Sequence, residues 1–303
     1  MNVRWTVLAS APVLLLAACG SGSGGSGASS EGKGAQVQVV ASTNVYGNIV
    51  QQIGGAHVAV TSILSDPNVD PHEYEASTKN AAAVSRSKVV VDNGVGYDDF
   101  MNDLVKNSGA NPTVVTVSKV LGITGKNPNP HLWYDVPQMP KVASSIADAL
   151  AKADPANAAE FHANAKKFAT SLDPIEKATQ AIKSKFTGTE IAYTERVAGY
   201  LVDNAGLKLG IPASFAQSVE DGDDPSPADT KAFTDALTNH TVKALIYNSQ
   251  VTDKQTDALK QDAQTAKVPL VPVSETMPTN AKDYQAWQLS QVQALQKALE
   301  ESQ

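Results

Sequence analysis

Two histidines and two glutamates stand where side chains do chemistry in α/β proteins. His72 lies in "VDPHEYE" and His131 in "NPNPHLWYD", each in a proline-flanked loop after a strand-like run. Glu195 ends "EIAYTE" and Glu275 ends "VPLVPVSE", each at the exit of another such run. Ligand sites in open α/β sheets lie just beyond the carboxyl ends of the strands. Imidazole nitrogens and carboxylate oxygens together suit a divalent transition metal, and either alone serves as a general base. Taken singly, each residue also fits a plainer role, as a loop histidine in water or a strand leaving its sheet for solvent.

The other three of the five histidines read as structural. His57 sits at a strand entry in "GGAHVAV", His162 in a polar helix, and His240 where a helix should end and a cation suits the dipole. Asp70, Glu73 and Glu75 flank His72. They are either solvated, or hydrogen-bonded to a ligating imidazole from outside, or one of them replaces a ligand. The acidic "EDGDDPSP" lacks the remaining oxygen ligands of a calcium loop and reads as a helix-capping turn.

Positioning these residues requires strands and helices in alternation. "VQVVAST", "VAVTSIL", "KVVVDNG" and "PTVVTVS" are strand-like, with "NVYGNIVQQIGG" and "STKNAAAVSRS" as helices between them. The stretch from Pro137 to about Phe186 is helical throughout, with a kink or bend expected at Asp173-Pro174. Alternation resumes with strands at "EIAYTE", "VKALIYNS" and "VPLVPVSE" and helices at "RVAGYLVDNAGL", "ADTKAFTDALTNH" and "DKQTDALKQDAQTAK". The last helix carries Val292, Leu295 and Leu299 on one face. The fold class is α/β: two lobes alike in plan, each a mostly parallel sheet flanked by helices, joined by a long spine helix.

Near the start of the chain stand a basic residue, Arg4, and an apolar run from Trp5 to Ala18 that is too short to span a bilayer. That run ends in "LAAC", which resembles a bacterial lipobox, so residues 1–19 read as a lipoprotein signal peptide with Cys19 as the lipid attachment site. An ordinary secretory cleavage elsewhere is the alternative. Cys19 is the only cysteine, which excludes a disulfide within the chain and a thiolate metal cluster. Residues 20–36 are nearly all Gly, Ser and Ala, a flexible tether of roughly 20–25 Å mean reach. The N-terminal lobe is then 37–153, the spine linker 154–186 and the C-terminal lobe 187–303. A net charge of −7 with 42% hydrophobic residues describes an acidic globule without the basic patch that nucleic acid needs.

"DPHEYE", "NPHLWYD", "YTERVAGYL" and "VPVSETMP" resemble, in the same order, the four signature segments of the zinc/manganese solute-binding lipoproteins of metal ABC importers. The likeness runs over the mature chain and includes "SPADTKAFTDAL" and the passage around "ALIYNSQVTDKQTDALKQDA". It implies His72, His131, Glu195 and Glu275 as ligands of one cargo ion, Zn²⁺ or Mn²⁺. It further implies an ABC permease with its ATPase as partners, a rigid spine with modest lobe movement, and an extracytoplasmic, lipid-anchored location. A monomer is expected. Many members have a third histidine at the position of Glu195, and some an aspartate at that of Glu275. Bidentate carboxylates would suit manganese, whereas four monodentate contacts would suit tetrahedral zinc. The acidic, histidine-rich loop of many zinc specialists is absent.

Three other functions compete. A zinc enzyme would show HExxH, but His72-Glu73 is followed by Tyr74, Glu75 and Ala76, and four protein ligands leave no open position for water. No enzymatic activity is expected. A lipid-anchored adhesin would use the metal only to lock its lobes and would unfold without it. An organic solute would ask for an aromatic-lined cleft, and only Trp133 and a few tyrosines lie near the ligand segments.

Overall fold

The computed structural model describes residues 35–66, 74, 76–251 and 253–302. Cys19, and His72 with its neighbours Asp70, Glu73 and Glu75, lie outside the described residues. Residues 35–303 form one compact unit.

The first half runs β1 (Val37–Thr43), α1 (Asn44–Gly54), β2 (Val58–Leu64), α2 (Thr78–Arg86), β3 (Val89–Asp92), α3 (Phe100–Asn107), β4 (Thr113–Thr116) and the short α4 (Val117–Leu121). All the strands pair in parallel, in the order β2-β1-β3-β4. β1 and β3 are inner strands, and their Val-rich runs are buried almost throughout, as a parallel sheet covered on both faces requires. Thr43 ends β1 and caps α1, its hydroxyl accepting from the Tyr46 N–H at 3.3 Å. Gly47 lets α1 lie close on β2, since a β-carbon there would fall 2.0 Å from Ser62 Oγ.

The helical middle comprises α5 (Met139–Ala153), α6 (Ala158–Ser171) and α7 (Asp173–Phe186). The bend expected at Asp173-Pro174 falls here, with Leu172 separating α6 from α7. Pro174 has no N–H to continue the ladder, and Ile175 instead bonds back to the Leu172 carbonyl at 2.9 Å. α6 doubles back on α5 and packs against α1, whereas α7 leaves the first half and packs on the chain's last helix.

The second half runs β5 (Glu190–Tyr193), α8 (Gly199–Asn204), β6 (Lys208–Leu209), α9 (Ala213–Glu220), α10 (Pro227–Thr238), β7 (Leu245–Asn248), α11 (Lys254–Thr265), β8 (Leu270–Val273) and α12 (Tyr284–Glu301). Its parallel order, β6-β5-β7-β8, repeats that of the first sheet. The "EDGDDPSP" turn is a cap as expected, with Ser226 Oγ accepting from the Asp229 N–H. α12 buries Val292, Leu295 and Leu299, the expected stripe.

One apolar core crosses from sheet to sheet. It holds Val39 and Val91 from the first, Ile191 and Val271 from the second, and Trp133, Tyr134, Tyr284 and Trp287 between. Polar ties reinforce it. The Asn44 amide donates to the Met277 carbonyl at 2.8 Å and accepts from the Met277 N–H at 2.9 Å. The Tyr284 hydroxyl donates to the Trp133 carbonyl at 2.6 Å and the Tyr134 hydroxyl to that of Ser274 at 2.7 Å. The two sheets thus share one packed core.

Candidate metal centre

The two parallel sheets deliver their carboxyl ends to one buried place. β5 ends at Tyr193, and Glu195 follows in extended conformation before a single 3₁₀ turn, Arg196–Ala198. β8 ends at Val273, two residues before Glu275. Between them β7 closes on Asn248. The Asn248 amide nitrogen donates to Glu195 Oε2 at 3.0 Å and to Glu275 Oε1 at 2.8 Å. Its oxygen accepts from the Gln250 N–H at 3.0 Å, which fixes the way the amide faces.

Gln250 in turn holds the backbone on which Glu275 rides. Its side-chain oxygen accepts from the N–H groups of Glu275 at 2.6 Å and Thr276 at 2.9 Å, and its nitrogen donates to Thr276 Oγ1 at 2.9 Å.

His131 arrives from the other side. The Asn93 amide, at the end of β3, donates to the Pro130 carbonyl at 2.8 Å and positions the loop. Asn129 Oδ1 accepts from the His131 backbone N–H at 3.0 Å and faces its Nδ1 at 2.8 Å. The Asn129 oxygen thus gives Nδ1 the donor role, and Nε2 is directed inward, where Glu275 Oε2 stands 3.4 Å away. The Asn129 nitrogen donates to the Arg196 carbonyl at 2.8 Å, so one side chain orients His131 and grips the residue after Glu195. Gly199 makes room for it: a β-carbon there would stand 2.7 Å from Asn129 Nδ2. The Arg196 guanidinium is itself paired through two nitrogens with the Glu220 carboxylate, at 2.9 and 2.7 Å.

An aromatic wall closes the site. Trp133, close to the ligand segments in the sequence, is fully buried, and its ring meets those of His131 at 5.5 Å and Tyr97 at 4.9 Å. The Tyr97 hydroxyl hydrogen-bonds Glu275. Burial chiefly, then the Glu275 charge and that bond, push its pKa well above the ordinary phenol value. Asp98 shapes the loop that presents Tyr97, accepting from the Asn93 and Gly94 N–H groups at 2.6 and 2.8 Å. Burial raises the Asp98 pKa despite these bonds.

His131 and Glu275 are wholly buried and Glu195 is 3% exposed. Two carboxylates with an imidazole in such a place need a compensating cation or proton. Among the described residues, no three His, Cys, Asp or Glu side chains are by themselves arranged to hold a metal ion. Of the sequence-derived set, His131 and Glu275 meet directly, Glu195 joins them through Asn248, and His72 lies outside the described residues. His57 instead pairs with Glu160 at 3.1 Å, and His162 stands 3.8 Å from Asp148. His240 is the left-handed residue (φ 55°) beyond α10. Asn248, Asn129, Gln250 and Tyr97 were not anticipated. Only Asn248 carried a signal, its place at the carboxyl end of "ALIYN".

The chain resembles known proteins over most of its length. It is 27% identical over 242 residues to the manganese-binding lipoprotein MntA of Bacillus subtilis, 76% of each chain. It is 26% identical over 267 residues to the manganese ABC transporter substrate-binding lipoprotein PsaA of Streptococcus mitis, 82% of each. Two solved structures share the fold. The FpvC binding protein of P. aeruginosa, in complex with Ni²⁺, matches at TM-score 0.72 and 23% identity, with 88% of this chain and 98% of that one covered. The Mn-bound periplasmic metal binding protein of Candidatus Liberibacter asiaticus matches at TM-score 0.71 and 18% identity, with 87% and 99% covered. The family model described as the periplasmic component A of zinc-uptake complexes matches residues 39–298, and this chain belongs to that family.

Proposed function

We propose that this chain is the extracytoplasmic substrate-binding component of a metal-ion ABC importer. It captures one divalent transition metal, Zn²⁺ or Mn²⁺, as cargo and delivers it to a membrane permease driven by its ATPase. His72, His131, Glu195 and Glu275 are the ligands, and the Cys19 lipid holds the protein at the bacterial membrane on the 20–36 tether. Residues 37–153 and 187–303 are the two lobes, with 154–186 linking them. It works as a monomer and catalyses no reaction.

The observation that carries this function is the buried pairing of His131 Nε2 with Glu275, tied through Asn248 to Glu195. An imidazole with its Nδ1 proton engaged offers its other nitrogen to a cation. Two carboxylates and two neutral imidazoles would neutralise a divalent charge, offsetting much of the cost of burying it. Family membership and relatives named as metal-transport lipoproteins support the same conclusion.

The test is titration of chelator-stripped protein beginning after Cys19 with Zn²⁺ and, separately, Mn²⁺, followed by calorimetry and melting temperature. Tight 1:1 binding to an already folded protein, lost in His72→Ala, is expected. A folded protein that binds neither ion would overturn the proposal.

A further inference from the structure

The geometry points to Asn248 as a specificity-determining residue: it engages one oxygen of each carboxylate and so selects cargo that accepts few ligands. This rests on the ligand set proposed above and adds to it a metal preference. The Asn248 side chain is 3% exposed at the end of an inner strand, β7. Its amide oxygen is committed to the Gln250 N–H at 3.0 Å, which leaves both N–H donors for the carboxylates. One goes to Glu195 Oε2 at 3.0 Å and the other to Glu275 Oε1 at 2.8 Å. The Glu275 oxygen that faces His131 Nε2 is the other one, Oε2.

A carboxylate that chelates a metal through both oxygens must share or surrender such a bond. One that binds through a single oxygen keeps it. Asn248 therefore favours monodentate carboxylates and a low coordination number, the four-coordinate geometry of Zn²⁺. Ions that seek more oxygen ligands, Mn²⁺ among them, lose by the same bonds. Because both bonds originate on one nitrogen, Asn248 also sets the spacing of the two glutamates. That nitrogen touches the carboxylates and not the cargo, so Asn248 is a positioning residue.

The experiment compares the protein with Asn248→Ala and Asn248→Ser, where serine retains one donor in place of two. Zn²⁺ and Mn²⁺ affinities are measured by competition titration, and Co²⁺ is added as a spectroscopic probe. Four-coordinate Co²⁺ absorbs strongly in the visible and six-coordinate Co²⁺ weakly. Asn248→Ala is expected to shift the Zn²⁺-to-Mn²⁺ affinity ratio toward Mn²⁺ by about tenfold and to weaken the Co²⁺ band, with serine between. A merely structural role would lower both affinities together and leave the ratio and band unchanged, which would overturn the inference. If Asn248→Ala fails to fold, the serine variant decides by the same two readouts. Failure of the unsubstituted protein to bind any of the three ions would instead overturn the transport function itself.

Discussion

His131 Nε2 and Glu275 Oε2 stand 3.4 Å apart, both fully buried, although 144 positions separate them in the chain and they approach from opposite sheets. The contact exists because each lobe turns the carboxyl ends of its strands toward the other. His131→Ala and Glu275→Ala should each weaken metal binding beyond the roughly 10–100-fold typical of outer-shell partners. Calorimetric titration checks this, with circular dichroism to verify folding. Protons compete with the cation for an imidazole, so affinity should fall between about pH 7.5 and about pH 5.5. A flat profile would contradict histidine ligation.

Asn129 holds His131 through backbone and ring and also grips the Arg196 carbonyl. Asn129→Ala is expected to cost roughly 10–100-fold in metal affinity. Gly199→Ala should reproduce part of that loss, since its β-carbon would intrude on the Asn129 amide. If Gly199→Ala binds metal normally, Asn129 has room to shift and its position is not critical.

Asp92, buried at the end of β3, has its carboxyl pushed up to about 6, first by burial and then by the Asp98 charge, against a Thr116 hydrogen bond and Lys119. Its proton is held more tightly in the folded state than in the unfolded chain, where a value near ~4 applies. The folded state binds the extra proton across that interval, so the residue's destabilising effect is absent below about pH 4 and complete above about pH 6. Asp92→Asn should therefore stabilise the protein at about pH 7.5 by on the order of 1–3 kcal/mol, a gain that largely vanishes near pH 4. Thermal unfolding at both pH values measures it.

Metal removal should leave the fold intact. The core that joins the sheets is continuous and apolar, with no contribution from the carboxylates. Chelator-treated protein should keep its far-ultraviolet dichroism and a cooperative melt, with re-addition of metal raising the melting temperature. Unfolding on chelation would instead mark the metal as a structural lock.

Much of this fold is legible from residue types. "VQVVAST" and "VAVTSIL" coincide with β1 and β2, because β-branched runs bounded by Thr-Asn and His-Val junctions leave little latitude. α3, α4, β6 and α9 leave no such signature, and "PTVVTVS" turns helical at Val117. "FMNDLVKN" is a short amphipathic run without a side-chain cap, and a two-residue strand carries no periodicity. The site divides the same way. His131, Glu195 and Glu275 stood out as ionisable groups at strand exits. Their supports are neutral amides, whose function comes from distant partners: Asn129 meets Arg196 across 67 positions and Asn248 meets Glu195 across 53. No local pattern announces such pairings.

The segment that carries Glu275 is fastened largely by side chains from elsewhere in the chain, beside its own Ser274 hydroxyl bond to the Thr276 carbonyl. Gln250 holds the N–H groups of Glu275 and Thr276, Asn44 brackets Met277, and Tyr134 anchors the Ser274 carbonyl. None of these is a sheet hydrogen bond, and each is worth about 0.5–1.5 kcal/mol net, because water offers the same exchange. Withdrawing this arm would break these bonds and lift the buried Met277 side chain from the core, while the strand pairing of both sheets does not depend on it. The grip is a catch rather than a weld: on the proposed function, release of cargo would ask for the opening of this one loop and not for the parting of the lobes.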